Sequence, residues 1–463
     1  MPYRPAPLLY NSKLPLFDEV GAADFPETRL RYRNDRAAES VGLDGLSEDA
    51  WLTHFGRFAP LPDNQDALLA LRYHGHQFRQ YNPDLGDGRG FLYAQMYDDQ
   101  NRLLDLGTKG SGTTPWSRRG DGRLTLRGGV REVLATAMLE ALGVPTSKSF
   151  SLIETGEQLM RGDEPSPTRS AVLVRLSHSH MRFGTYERLA YYGDTDTMRD
   201  LTDFIIAHYY PACQAAAQLF DAVVSQTAHL AARWMAAGFV HGVLNTDNMN
   251  MTGESFDYGP YRFLPAYDPN FTAAYFDTSG LYAYGRQPDT VLWNLSQLGR
   301  SLTAITPPEP LIESLNACSE RYDLALQLAI CQRLNLTPQA DNQPLLKAIF
   351  ALLAQLPEDG SFEGLFYDWF GGAVRQGFAL SGPRAGGYAS EAFDSFFHIL
   401  KTYDCAAPDK LKDPRLKEAH PETLLIEEIE AIWAPIAAHD DWTAFDAKLE
   451  RIDIYRQALA LDA

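Results

Sequence analysis

The apolar pattern of the 463-residue chain changes period near residue 195, and that change limits the fold more than any other feature. Between residues 71 and 190, glycines and arginines punctuate short β-type runs. After about residue 195, apolar residues recur at helical spacing to the C-terminus. Two runs, Phe91 to Tyr97 and Leu103 to Leu106, flank the turn Asp98-Asp-Gln-Asn101 and read as a pair of strands. Val130, Val133, Leu134, Ala137, Met138, Ala141 and Leu142 then mark one face of a helix, which Gly143 and Pro145 stop. Ser149 to Ile153 and Ala171 to Leu176 read as two more strands. Helices are predicted over Met198–Ala217 and Phe220–Ala237, followed by a loop from Phe239 to Met251. The chain is therefore expected to be α+β.

A β-rich unit followed by a helical one, with loops between them, resembles the protein-kinase arrangement of a small lobe on a large one. On that pattern residues 1–70 are an N-terminal extension, 71–190 a kinase-like N-lobe, and 191–463 a helical C-lobe with a C-terminal extension. Residues 1–70 carry no pattern that assigns them an activity.

Charge is distributed unevenly. The chain holds 41 basic and 60 acidic residues, a net charge of −19. That balance argues against a general affinity for nucleic acid or anionic membrane, since phosphate repels an acidic surface. Yet from Lys109 to Arg131 six basic residues stand against one acid, Asp121. Arginine forks suit phosphate oxygens, so this segment predicts a local anion site. Arg175 and Arg182 add two guanidiniums at and after the last strand run. The loop Leu85-Gly-Asp-Gly-Arg89 precedes the first strand, and Gly86 and Gly88 would let backbone N–H groups approach an anion closely. Lys109 follows the second strand, and Glu132 lies in the next helix. A strand lysine that binds phosphate and pairs with a helix glutamate is a kinase-like device, although ordinary surface ion pairs use the same residues.

A second cluster is His241-Gly-Val-Leu-Asn-Thr-Asp-Asn248, followed by Asp257-Tyr-Gly259. Kinase-like phosphotransferases place an Asn and a later Asp on the metal. Asn248 and Asp257 would give hard oxygen ligands to Mg²⁺ or Mn²⁺. Small-molecule kinases of this kind carry a catalytic Asp two residues after the His. Val243 stands there and cannot accept a proton, leaving Asp247 as the nearby carboxylate able to act as general base. His178 and His180 lack clustered partners and do not predict zinc. Tyr282, Tyr284 and Trp293 read as packing residues.

Several of these segments together resemble the selenoprotein O (SelO) family. They are Tyr73-His-Gly-His-Gln-Phe78, the Leu85–Arg89 loop, Lys109-Gly-Ser-Gly, Pro115-Trp-Ser-Arg-Arg-Gly-Asp-Gly-Arg123, Arg131-Glu132, Val174-Arg175, Arg182-Phe-Gly-Thr, the His241 and Asp257 clusters, Tyr267-Asp-Pro269, Gln287-Pro288 and Trp293-Asn-Leu295. The match is strong over residues 70–300. The resemblance implies a pseudokinase that transfers AMP from ATP to Ser, Thr or Tyr hydroxyls of proteins, itself included. ATP is bound flipped, with the α-phosphate toward the acceptor. It further implies ATP binding by Gly86, Gly88, Arg89, Lys109, Asp121, Gly122, Arg175, Arg182 and Asp257, metal binding by Asn248 and Asp257, proton acceptance by Asp247, and orientation of Lys109 by Glu132. The sequence departs from the family pattern at Arg79, where Gly is usual, and at Ala94-Gln95, where Gly-Glu is usual. No cysteine-bearing tail follows the His420-Pro421 region, so redox control through such a tail is not expected.

Three other readings share these residues: transfer of UMP from UTP, a nucleotide-sensing scaffold without transfer, and a true kinase, to which Val243 is the obstacle. Four dispersed cysteines form no CxxC pair and read as reduced core thiols. Prolines interrupt the first twenty residues and acids arrive early, so no signal peptide is expected and a cytoplasmic location is.

Overall fold

The structure, a computed structural model, describes residues 1–162, 164–357 and 361–461. Its strands in chain order are β1 (Phe17–Val20), β2 (Arg29–Arg33), β3 (Leu68–Leu71), β4 (Gly75–Gln77), β5 (Gln80–Asn82), β6 (Leu92–Tyr97), β7 (Leu103–Lys109), β8 (Leu124–Thr125), β9 (Lys148–Leu159), β10 (Thr168–Ser177), β11 (Phe239–Val240) and β12 (Arg262–Phe263). The main sheet runs β1-β3-β6-β7-β10-β9-β2, with β8 added to β10. Its pairings are antiparallel. Helices dominate after residue 183, as the change of period predicts. The fold is mixed, an antiparallel sheet with many helices.

Both faces of the central strands are covered, which is why β7 is buried along its whole length and its run reads as continuous rather than alternating. One face packs on Trp51, Phe55 and Phe58, with Phe91, Tyr93 and Phe150 from the sheet. The other carries the helix Leu126–Ala141, whose Val130, Val133, Leu134 and Met138 are fully or nearly fully buried. Thr125 caps that helix by accepting from the Gly128 N–H at 3.1 Å. The residues before position 71 are part of this sheet: β1 and β2 are its two borders.

Three sequence expectations shift. Lys109 closes β7 rather than following it. The two helices predicted over Met198–Ala217 and Phe220–Ala237 are instead Thr195–Tyr209 and Ala216–Ala236. Pro211 explains the break, because it offers no N–H and disfavours helical backbone at Tyr210. Cys318 and Cys331 are buried, but Cys213 and Cys405 are only half-buried; all four are free thiols. Tyr282 and Tyr284 are buried, as expected of packing residues. Among the described residues no helix is long and apolar enough to cross a membrane.

Candidate active site

Strand register brings the first two cations together. Leu173 of β10 pairs with Lys109 of β7, and Arg175 with Gly107. Alternation puts Lys109 and Gly107 on one face, and Arg175, opposite Gly107, shares it. The helix Leu126–Ala141 crosses that face and presents Glu132, which ion-pairs with Lys109. From the helical side, β11 pairs with β12, so the chain between them folds back on itself. A short 3-10 turn, Thr246–Asn248, and Asp257 then face the sheet.

These elements enclose a cavity of about 730 Å³. It is lined by Gly86, Gly88, Arg89, Lys109, Asp121, Gly122, Arg175, Arg182, Asp247, Asn248 and Asp257. Of the residues given a site role by the resemblance, Glu132 alone lies off this lining, behind Lys109; of the basic segment, Arg127 and Arg131 also lie outside it. Asp257 is the hub. Its Oδ1 accepts from Arg175 Nη1 at 2.8 Å and lies 3.3 Å from Lys109 Nζ; its Oδ2 accepts from Arg182 Nη1 at 2.7 Å. Burial pushes the Asp257 carboxyl up, but Arg175, Lys109 and Arg182 outweigh it and hold the group well below the usual carboxylate range. Asp257 has a φ of 65°, a left-handed backbone that turns its side chain into the cluster.

Asp247 has the opposite environment. It is 7% exposed, and its Oδ1 has no hydrogen-bond partner among the described residues. Burial raises its carboxyl to about 7, with Arg182 opposing and the charges of Asp257 and Glu187 adding to the rise. Gly75 lies against it: a Cβ there would come within 2.9 Å of Asp247 Oδ1. Around the same cavity, Glu132 Oε2, Arg175 Nε and Arg182 Nε are also buried without partners. Orphaned polar atoms are rare in folded chains, and three on the lining of one cavity, with a fourth behind Lys109, mark it as built for a polar ligand.

A hard divalent cation fits the donor set in one way. Asn248 Nδ2 donates to the Val243 carbonyl at 2.9 Å, which leaves the Asn248 amide oxygen for a cation. With Asp257 that makes two hard oxygens. Among the described residues no group of three or more His, Cys, Asp or Glu could hold a metal alone. The remaining ligands would have to be waters and phosphate oxygens, the manner in which Mg²⁺ is commonly held.

A family model described as protein adenylyltransferase SelO matches residues 4–453. The chain belongs to the SelO family. Among curated relatives, the protein nucleotidyltransferase YdiU of Gloeobacter violaceus is 47% identical over 445 residues, covering 93% of this chain and 90% of that protein. The Synechocystis sp. protein of the same name is 43% identical over 456 residues, covering 94% and 95%. That of Trichormus variabilis is 44% identical over 453 residues, covering 93% and 91%. This SelO chain is an enzyme, a nucleotidyltransferase.

Several cavity residues of this SelO protein had no role from sequence. Asp87 lies 3.4 Å from Arg182 and accepts from the Leu71 N–H at 3.1 Å; its place between Gly86 and Gly88 was the available signal. Trp116 covers the glycine loop and donates from its indole N–H to Asp18 Oδ2 at 2.9 Å. Ser117 Oγ donates to the Gly88 carbonyl at 2.6 Å. A Cβ at Gly86 would overlap the Trp116 ring, and one at Gly88 would come within 2.9 Å of the Trp116 carbonyl. Both glycines are thus required by Trp116 as well as by any anion. Of the departures from the family pattern, Arg79 has a φ of 61° in the β4–β5 turn, the backbone that glycine adopts most easily. Gln95 ties the sheet to the N-terminal segment, donating to Asp105 Oδ1 at 2.8 Å and accepting from the Leu9 N–H at 2.7 Å. His180, weighed as a metal ligand, instead packs over Gly107, and its backbone N–H donates to Asp105 Oδ2 at 2.7 Å.

Proposed function

We propose that this enzyme transfers AMP from ATP to the hydroxyl of a Ser, Thr or Tyr side chain on a protein, on a kinase-like bilobal scaffold. In this reading residues 71–190 form the small lobe, 191–463 the helical lobe with its extension, and 1–70 an N-terminal extension. The observation that carries it is that Asp247, a buried carboxylate with one unpartnered oxygen, lines the same cavity as the cationic cluster, one member of which, Arg182, donates to the Asp247 carbonyl at 2.8 Å. Arg89, Lys109, Arg175 and Arg182 hold the triphosphate and take up negative charge as it shifts to the leaving group. Glu132 and Asp257 fix the Lys109 ammonium from two sides. Gly86, Gly88, Asp121 and Gly122 border the nucleotide. Asp247 accepts the proton of the acceptor hydroxyl. The oxygen of that acceptor hydroxyl forms a bond to the α-phosphorus, the bond from that phosphorus to the bridging oxygen of the β-phosphate breaks, and pyrophosphate leaves. Mg²⁺ or Mn²⁺ on Asn248 and Asp257 would supply Lewis-acid stabilisation of the phosphate oxygens. Val243 stands where a kinase carries its base, which counts against a true kinase.

The relatives' name, protein nucleotidyltransferase, supports a protein acceptor. The test is incubation with ATP labelled on the α-phosphate and, separately, on the γ-phosphate, with intact mass of the enzyme itself as a second readout. Incorporation of α-label and a mass gain of one AMP are expected, both lost on chelation of divalent metal. Label from γ-ATP alone would overturn the reading, and equal use of UTP would overturn its restriction to AMP.

A further inference from the structure

Beside the nucleotide cavity lies a second groove, of about 440 Å³, which shares Arg89 and Lys109 with it. One wall is the start of the helix Leu126–Ala141, with Arg127 and Arg131. The other is the segment after Asp257, with Arg262 on β12 and then Tyr275 and Phe276. Glu430, from the helix Ile426–His439, closes one end. The transfer step described above uses Arg89, Lys109 and Glu132 at the shared edge, but not Arg127, Arg131, Arg262, Tyr275 or Phe276.

Its charges are not balanced. Glu430 lies 2.6 Å from Arg127 and only 3.8 Å from Arg131. Arg262 donates to the Tyr261 carbonyl at 2.8 Å and forms no ion pair with any described residue. Seven cations line the groove against three carboxylates, Glu132, Glu164 and Glu430, in a chain whose overall charge is −19. Burial and the neighbouring Arg131 lower the pKa of the Arg262 guanidinium, and the charges of Glu430 and Glu427 offset this only in part. Along the same groove, Tyr275 is 84% exposed and Phe276 46%. The two rings meet edge to face at 5.2 Å, and Phe276 meets Phe78 at 6.0 Å. The Phe78 N–H donates to Asn245 Oδ1 at 3.2 Å, two residues before Asp247. The aromatic rim is thus tied directly to the turn that carries the proposed base.

We propose that this groove docks an acidic segment of the acceptor protein. Its carboxylates lie on Arg131 and Arg262, its apolar side chains lie against Tyr275 and Phe276, and the target hydroxyl is carried toward Asp247. The proposal rests on the reading that the acceptor is a protein. Charge complementarity selects an acidic polypeptide, and the net charge of the chain disfavours nucleic acid as the occupant.

The probes are three fluorescent peptides, each with one Ser, one Tyr and two Leu, flanked by four Glu, four Gln or four Lys. Binding is read by anisotropy with ATP present, and transfer by α-label. The Glu peptide is expected to bind about tenfold more tightly than the Gln peptide and to lose that preference in Arg262→Glu, as for a charge pair reversed in sign. Because Arg262 is half-buried, Tyr275→Ala serves as the second variant. It should raise the KM for the Glu peptide by about fivefold or more while leaving the KM for ATP unchanged, since a rim aromatic is lost without disturbing the nucleotide cavity. Equal binding of all three peptides, an unchanged preference in Arg262→Glu, or a matching loss of ATP affinity in either variant would overturn the docking surface. So would an oligonucleotide of equal charge that competes as well as the Glu peptide. Specific binding of the Glu peptide with no α-label transferred to it or to the enzyme would sink the transfer reading and leave the docking surface standing.

Discussion

Asp247 and Asp257 show how two carboxylates on one loop region come to different states. Asp257 is surrounded by Arg175, Lys109 and Arg182, whereas Asp247 is buried with one oxygen unpartnered. Opposite consequences follow on substitution. Asp247→Asn should reduce α-label transfer by about 10²–10⁴-fold, the usual worth of a general base, while the melting temperature holds or rises, because an unpaired buried charge is removed. Asp257→Ala should also abolish transfer, but it leaves three cations facing one another and should cost about 3–5 kcal/mol of stability. Paired measurements of transfer and thermal unfolding check both; a stable Asp257→Ala protein would contradict the hub assignment. The sequence made these residues legible because their chemistry sits in short motifs. It did not reveal the unpartnered Asp247 oxygen, which depends on Gly75, far away in the chain.

At the scale of elements, the glycine loop is held by Trp116. Gly86→Ala should weaken nucleotide binding because its methyl group would overlap the indole. In a Trp116→Ala background the same substitution should cost less, with a coupling of about 1 kcal/mol or more. Additive effects in a titration-based cycle would show that the loop is set by something else. The helix Leu126–Ala141 is anchored at its other end by Glu140, which lies 3.2 Å from Lys148 and pairs with Arg36. Burial alone would raise the Glu140 carboxyl, but Lys148 and Arg36 bring it down to about 2. A depressed carboxylate stabilises the fold fully above its ordinary value of 4.5 and loses that contribution as pH falls through about 2. The amount is on the order of 3 kcal/mol. Urea unfolding of Glu140→Gln should show a deficit of that size at pH 6 that shrinks steadily below pH 4.5. A deficit independent of pH would refute it. The central strands and this helix were legible because continuous apolar runs and a helical stripe are long-range signals. β1 and β2 were not: Phe17–Val20 and Arg29–Arg33 are short, charged and half-exposed, the usual disguise of sheet borders.

For the whole molecule, the net charge describes the surface poorly where chemistry occurs. The chain is acidic, yet its two adjoining hollows are lined by guanidiniums. The count from Lys109 to Arg131 exposed the first of these. The second needed the fold, since Arg262, Tyr275 and Glu430 meet only after the helix Ile426–His439 has docked. Residues 1–70 gave no sign of their place in the sheet because their partners lie far away in sequence, β2 on β9 and β1 on β3. A chain beginning after residue 34 would expose the flanks of β3 and β9. It should associate with itself at micromolar concentration, as unpaired edges do. Size exclusion with light scattering would check this, and a monomeric truncated protein with full transfer activity would argue against it.

That arrangement also sets a timetable. The two outer strands are the first made, whereas β9, the partner of β2, is completed only at Leu159. At ordinary rates of translation the wait is on the order of ten seconds. Throughout it, Leu30 and Tyr32 of β2 have no strand to receive them, whereas Phe17 of β1 waits only for β3, complete at Leu71. The nascent chain is most in need of a chaperone during this interval, before the nucleotide cavity can close.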